Sequence, residues 1–263
     1  MDEAGAKGLA LKVVGLRKRF GGLHAVNDVN LAVATGDVRA IIGPNGAGKT
    51  TLFNLLSGAL SQDSGQIFFE GEEISGVPPD KLCRRGLGRT FQITSIFRRL
   101  TVLENVQTAC LVYHRRHFNL FRPARTLYDA DAKALLARVG LRDQTDRSSG
   151  TMSHGDQRRL ELAIALASQP RLLLLDEPTA GMAPRERQEL MELVASIASD
   201  TGLTVVFTEH DMDVVFAVAR RITVLHQGAV LAEGAPADIR ANSEVQRVYL
   251  GQSLEQARNA VVA

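Results

Sequence analysis

The sequence predicts an α/β fold with a mostly parallel sheet, and two observations carry that prediction. Short apolar runs that suit buried strands lie at 172–175 and 203–208. Apolar stripes at helical spacing lie between and after them, around 190–197 and 212–219. Strands that alternate with helices in this way form parallel sheets with helices on their faces.

The N-terminal third predicts more strands than helices. Strands are expected at 11–16, 29–33 and 38–42, and a hairpin over 67–74 turns near Gly71. This stretch surrounds a single loop-to-helix unit.

The rest of the chain predicts helices and one further hairpin. The pattern becomes helical from about Thr101, with a clear stripe over 160–167. Two strands joined through Gln227-Gly228 predict a closing hairpin, and 236–263 read as a polar helical tail. We expect residues 1–8 to be a disordered tail.

Length and composition indicate an ordinary globular protein. The 263 residues suggest one or two domains, and 45% apolar with 23% charged residues can build a sizeable core. The formal net charge of +2 indicates no overall polyanion-binding surface. Cys83 and Cys110 match no metal-site spacing, and we expect two reduced thiols. No apolar run approaches the ~20 residues that cross a bilayer, and the acidic N-terminus is not a signal peptide.

A glycine-rich loop predicts nucleotide binding. The pattern G-x-x-x-x-G-K-[ST] follows the strand 38–42 and precedes a helix predicted over 49–57. Glycines let successive N–H groups point at phosphates, and the helix N-terminus adds its positive end. Lys49 is suited to the terminal phosphates and Thr50 to Mg²⁺. The predicted phosphate-binding residues are Gly43, Pro44, Asn45, Gly46, Ala47, Gly48, Lys49, Thr50 and Thr51.

Two carboxylates end a buried strand. Asp176 and Glu177 follow the run 172–175, at the strand end where parallel sheets place ligands. Asp176 is suited to hold Mg²⁺ through water, and Glu177 to polarise a water for in-line attack on a γ-phosphate. Taken alone, the pair fits a solvated strand end equally well, and the phosphate loop favours the catalytic interpretation.

A third segment makes the prediction specific. Ser153-His-Gly-Asp-Gln157 opens a striped helix, with Ser153 at the N-cap position and Asp156 placed for a capping box. The segment resembles the signature of ATP-binding-cassette (ABC) ATPases, and the motifs follow the order of that family over about 10–235. The resemblance implies a RecA-like P-loop core with an antiparallel β subdomain and a helical subdomain. It places the core at 10–92 and 169–235, the helical subdomain at 93–168 and a tail at 236–263.

The resemblance also implies roles for individual residues. Phe20 matches the aromatic that stacks on adenine, and Gln92 the glutamine that contacts Mg²⁺ and senses the transport partner. Glu177 matches the catalytic base, and His210 the switch histidine at the γ-phosphate. Each alone has a structural alternative, such as a core aromatic for Phe20 or a helix-start residue for His210.

The signature segment is expected to act across a dimer. In the family, Ser153 and Gly155 contact the γ-phosphate held by the opposite subunit. Two departures stand out: His154 replaces the first glycine of the signature, and Ala183 replaces an aspartate that many members carry at the dimer interface. Ala183 cannot supply the carboxylate of that contact between subunits.

Several stretches resemble the ATPase subunits of branched-chain amino-acid importers. They are 88–92, 96–106, 180–182 and 209–212. The resemblance implies ATP and Mg²⁺ as cofactors, integral-membrane permeases and a second ATPase subunit as partners, and an indirect role for an external substrate-binding protein. No nucleic-acid partner is expected. The expected location is the cytoplasmic face of the plasma membrane.

Three other functions stay open. Stretches 95–100 and 248–251 are similar to the lipopolysaccharide-export ATPase, although a basic and aromatic insertion at 113–128 counts against it. A urea or amide importer is possible, as is a cassette ATPase of ribosomes or DNA repair, against which the single cassette argues. The insertion is either an adaptable surface loop or a contact to permeases or anionic lipid.

Overall fold

The computed structural model describes residues 8–90, 96–114 and 127–249 and contains two β-sheets with helices packed against them. The strands are β1 (Leu9–Phe20), β2 (Leu23–Ala34), β3 (Val38–Ile42), β4 (Ser64–Phe69), β5 (Glu72–Glu73), β6 (Leu87–Thr90), β7 (Leu172–Asp176), β8 (Thr204–Thr208), β9 (Arg221–His226) and β10 (Ala229–Gly234). The helices are α1 (Lys49–Leu56), α2 (Pro79–Arg84), α3 (Val102–Tyr113), α4 (Asp129–Arg138), α5 (His154–Leu166), α6 (Pro184–Thr201), α7 (Met212–Val218) and α8 (Pro236–Ala241).

The larger sheet has the strand order β10-β9-β3-β8-β7-β6. The five strands from β9 to β6 run parallel, and only β10 pairs antiparallel, with β9. The mostly parallel sheet is therefore confirmed. Its register places Thr208 opposite both Asp176 and Ile41, so the ends of β3, β8 and β7 lie side by side. The motifs that follow these three strands meet at one edge of the sheet.

The leucine run of β7 is continuous because both faces of the strand are covered. Leu173 and Leu175 pack into a core shared with α3 to α7. Leu172 and Leu174 pack into a second core, shared with α1 and the smaller sheet. The strand that ends in the two carboxylates is thus fixed from both sides.

The smaller sheet is antiparallel, with the order β2-β1-β4-β5. Strand β1 is longer than the predicted 11–16. Its pairing with β2 is irregular between Val13 and Leu16, where Gly15 adopts a positive φ of 57°, and the strand continues beyond this point. The hairpin near Gly71 is confirmed, and so is the closing hairpin, whose Gln227 and Gly228 both have positive φ, as its tight turn requires.

Some predictions fall outside the described residues. They are Gln92, most of the insertion at 113–128, the tail from 250 and residues 1–7. The division into core, helical subdomain and tail stays a prediction. Within the described part of the chain, no helix is long and apolar enough to cross a bilayer.

Candidate nucleotide site

The glycine-rich loop folds in the way that the motif predicts, directly after β3 and before α1. Gly43 has φ 156°, and a Cβ there would lie 2.2 Å from the Leu225 carbonyl oxygen. Gly48 has φ 100°, and a Cβ there would lie 2.2 Å from the Ala25 carbonyl oxygen. The backbone approaches its neighbours so closely at these two positions that there is no room for a Cβ, and only glycine fits.

The first turn of α1 faces the loop without a side-chain cap, because its N-cap residue is Gly48. The N–H groups of such a helix start are free to bind an anion. Lys49 Nζ donates to the carbonyl oxygens of Gly43 at 2.6 Å and Pro44 at 3.0 Å. Burial lowers the pKa of Lys49, and the negative charges of Glu177 and Asp176 offset part of that lowering. The structure thus brings the lysine and both carboxylates together.

Asp176 and Glu177 are linked through one hydroxyl. Thr208 Oγ1 donates to Asp176 Oδ1 at 2.8 Å and accepts from the Glu177 N–H at 3.0 Å. Glu177 adopts a left-handed φ of 48°, a conformation that costs a non-glycine residue energy and often marks functional positions. Asp176 is buried, whereas Glu177 is half-buried.

An arginine completes the partners of Asp176. Arg89 Nη2 donates to Asp176 Oδ2 at 3.2 Å. Its Nη1 donates to Asn54 Oδ1 at 2.8 Å and Ser57 Oγ at 2.7 Å, which ties β6 to the end of α1. Sequence reasoning missed this arginine, and its only signal was its position three residues before Gln92.

A buried carboxylate organises the loops after β7 and β8. Glu209 Oε1 accepts from the Thr179 hydroxyl at 2.6 Å and from its N–H at 3.0 Å, and Oε2 accepts from the His210 N–H at 3.3 Å. The imidazole of His210 is itself exposed at the carboxyl end of β8. Sequence reasoning also missed Glu209, Thr179 and Thr208. The signal for Glu209 was an acid directly beside the predicted switch histidine.

The signature segment starts α5. Ser153 caps it by accepting from the Asp156 N–H at 3.2 Å, as predicted. The capping box was wrong: the Asp156 carboxylate accepts instead from Gln144 Nε2 at 3.2 Å, because that amide is within its reach. His154 lies against Gly181: a Cβ added to Gly181 would lie 3.3 Å from Cε1 of the His154 imidazole. The signature segment and the loop after Glu177 are therefore in contact.

Two aromatic residues border the region. Phe20 ends β1 with 51% of its surface exposed, which leaves a face open for stacking, and Lys18 Nζ lies 5.8 Å from its ring centroid. Tyr249, in the helical stretch 243–249, packs against the larger core and hydrogen-bonds to the Gly43 backbone. Burial raises the pKa of Tyr249. No pattern in the sequence indicates that the C-terminal stretch reaches the glycine-rich loop.

The donor set fits a magnesium nucleotide. Among the described residues, no group of three or more His, Cys, Asp or Glu side chains forms a metal cage. Mg²⁺ characteristically needs only one or two protein ligands beside phosphate oxygens and water. The exposed Thr50 and the fixed Asp176 would each offer one oxygen, and the uncapped start of α1 suits the phosphates.

The comparisons identify the class of protein. A family model described as ABC transporter matches residues 26–180. The chain belongs to this family, and it is an ATP-binding and ATP-hydrolysing cassette. A second model, described as branched-chain amino acid ATP-binding cassette transporter, matches residues 229–254.

Two curated relatives narrow the resemblance. The high-affinity branched-chain amino acid transport ATP-binding protein BraF of Pseudomonas aeruginosa is 44% identical over 254 residues, covering 92% of this chain and 98% of BraF. LivG of Escherichia coli K12, which bears the same description, is 41% identical with the same coverages. A solved ATP-binding cassette in its ADP conformation has a TM-score of 0.83 at 30% identity, over 92% of this chain and 99% of that one.

Proposed function

We propose that this chain is the ATPase subunit that energises import of branched-chain amino acids through membrane permeases. The observation that carries the proposal is the likeness to BraF and LivG along 92% of the chain. The C-terminal family match at 229–254 supports it, since that segment lies outside the general cassette match at 26–180.

ATP is held by the glycine-rich loop and the start of α1. The N–H groups of Gly46 to Thr51 receive the phosphates, Lys49 moves from its carbonyl partners to the terminal phosphates, and Phe20 stacks on adenine. Thr50, Asp176 and Gln92 would hold Mg²⁺, which would neutralise phosphate charge.

Hydrolysis is assigned to the ends of β7 and β8. Glu177 accepts the proton of the attacking water, and the Thr208 hydroxyl fixes the backbone from which that carboxylate projects. Glu209 holds the His210 N–H at 3.3 Å and thereby sets where the exposed imidazole meets the γ-phosphate. Thr208 thus links the β8 end to Glu177, and Glu209 links the His210 backbone to Thr179 in the loop after β7.

The site is complete only in a dimer. Ser153 and Gly155 at the start of α5 cap the ATP of a second cassette, either another copy or a related subunit. Contact between His154 and Gly181 supports communication between this cap and the loop after Glu177 within one chain. ATP binding then closes the pair, and hydrolysis reopens it.

A groove of about 470 Å³ between α2, β6, α3 and α5 is the proposed permease contact. Phe97 and Val112 both line it and are 59% and 64% exposed, so the groove presents two large apolar side chains together at the surface. Arg89 and Thr90, just before the Gln92 segment, form part of its wall. An occupant of the groove therefore lies directly beside the ATP site.

The test combines transport with trapping. A strain lacking its own branched-chain importer receives this chain with its permeases and takes up labelled leucine. Glu177→Gln should abolish uptake and, in the purified chain, bind Mg²⁺-ATP without turnover and run as a dimer. Glu73→Gln, at an exposed carboxylate of β5, serves as the control. Turnover by Glu177→Gln near that of the wild type would refute the catalytic assignment, and uptake of other solutes but not leucine would refute the substrate.

A further inference from the structure

The Arg89 guanidinium lies against the carboxylate predicted to bind Mg²⁺. Its Nη2 is 3.2 Å from Asp176 Oδ2, and the two side chains are 10% and 1% exposed. A charge pair with so little solvent contact interacts far more strongly than one at the surface. Asp176 is thus already neutralised before any metal arrives.

The position of the guanidinium is fixed from the other side. Asn54 Oδ1 and Ser57 Oγ accept from Nη1 at 2.8 and 2.7 Å, and both lie at the end of the helix that begins at the phosphate loop. The Nε has no hydrogen-bond partner in the described residues. Arg89 therefore keeps its bond to Asp176 although its own Nε–H group has no partner among the described residues.

Both oxygens of Asp176 have partners without a metal. The Arg89 guanidinium lies 3.2 Å from Oδ2, and the Thr208 hydroxyl donates to Oδ1 at 2.8 Å. Little charge at this carboxylate therefore remains to attract free Mg²⁺. Nucleotide phosphates would bring the missing negative charge.

We propose that Arg89 is a positioning countercharge that makes Mg²⁺ binding depend on bound nucleotide. It occupies Asp176 Oδ2 and cancels its charge, so that Mg²⁺ binds only together with the phosphates. This inference rests on the proposed function, since it takes Asp176 as the carboxylate that receives Mg²⁺.

The test removes the charge and keeps a polar side chain. In Arg89→Gln without nucleotide, added MgCl₂ should raise the melting temperature, because free Mg²⁺ replaces the guanidinium; the wild type should show no such shift at matched ionic strength. The half-saturating Mg²⁺ concentration for binding a fluorescent ADP should fall about fivefold or more, since a unit charge beside the metal site is gone.

Two control variants separate charge from general damage. Arg89→Lys keeps the charge and should behave like the wild type toward Mg²⁺. In the double variant Arg89→Gln with Asp176→Asn, MgCl₂ without nucleotide should no longer raise the melting temperature, because the carboxylate that Mg²⁺ would use is gone. Loss of a merely structural arginine would weaken Mg²⁺ binding or leave it unchanged.

The outcomes are decisive in each direction. The inference is overturned if the half-saturating Mg²⁺ concentration of Arg89→Gln is unchanged or raised. It is also overturned if MgCl₂ still raises the melting temperature of the double variant that carries Asp176→Asn. If Arg89→Gln does not fold, Arg89→Met is measured in the same way, and failure of both to fold assigns Arg89 to structure and ends the proposal. Absence of Mg²⁺-dependent ATP binding in the wild type would instead overturn the proposed function.

Discussion

Thr208 donates a hydrogen bond of 2.8 Å to Asp176 across the β7–β8 pair, and the same oxygen accepts the backbone N–H of Glu177 at 3.0 Å. One hydroxyl therefore aligns the predicted metal ligand and the predicted base.

Thr208→Val keeps the shape of the side chain and removes both bonds. We expect the unfolding free energy to fall by about 1–3 kcal/mol, because polar groups of Asp176 and Glu177 lose a buried partner. ATP turnover should fall about tenfold or more, since the two carboxylates lose their alignment. Urea unfolding and steady-state ATPase assays measure these effects. Thr208→Ser retains the hydroxyl, and equal losses in both variants would contradict the assigned role.

Glu209→Gln tests the carboxylate that joins the two catalytic loops. The amide oxygen can replace one carboxylate oxygen, but the NH₂ group then faces a donor of Thr179 or His210. We expect a loss of about 1–3 kcal/mol in unfolding free energy and a drop in turnover that exceeds any drop in ATP affinity.

A matched control for Glu209 is Glu192→Gln, on α6, whose carboxylate accepts from Gln188 at 2.8 Å on the surface. Turnover in this variant should equal that of the wild type. A Glu209→Gln chain with wild-type turnover would show that His210 does not need this anchor.

The pH dependence of stability should report Lys49. Burial lowers the pKa of Lys49 from its usual value of 10.5, so the unfolded chain binds this proton more strongly. Stability therefore rises with pH from the lowered pKa up to about 10.5, and Lys49→Met should lose this rise. The measurement is the wild-type minus Lys49→Met difference in unfolding free energy at pH 8 and pH 10, without nucleotide. A difference that does not change between the two would contradict the prediction.

The two cysteines give an internal probe of the groove. Cys83 lines it, whereas Cys110 is buried and its pKa is raised to about 11 by burial and by the charge of Asp131. At pH 8 about 0.1% of Cys110 is thiolate, so Cys83 should react first with a thiol reagent. Assembly with the permeases should slow the reaction of Cys83 with the reagent and leave the reaction rate of Cys110 unchanged. Equal Cys83 rates with and without permeases would argue against the groove as their contact.

The parts of the site that are contiguous in sequence were predictable. The glycine-rich loop and the Asp176-Glu177 pair each lie on one short segment, and the leucine run before the pair marks its strand. The position of Ser153 followed in the same way, from one cap and one stripe.

The partners of these segments were not predictable, because folding brings them from far along the chain. Arg89 is 87 residues from Asp176, and Thr208 is 32 residues from it. Their meeting depends on the parallel register of β6, β7 and β8, which no local pattern specifies. The Asp156 prediction was wrong for the same reason, since Gln144 competes from outside the helix.

The hydrogen bond between Tyr249 and the Gly43 backbone makes the far end of the described chain a neighbour of the glycine-rich loop. Tyr249 falls within the stretch 229–254 that matches the branched-chain family model, so this stretch contacts the glycine-rich loop. An expression tag fused after α8, or a truncation made there, would therefore change the surroundings of the nucleotide pocket.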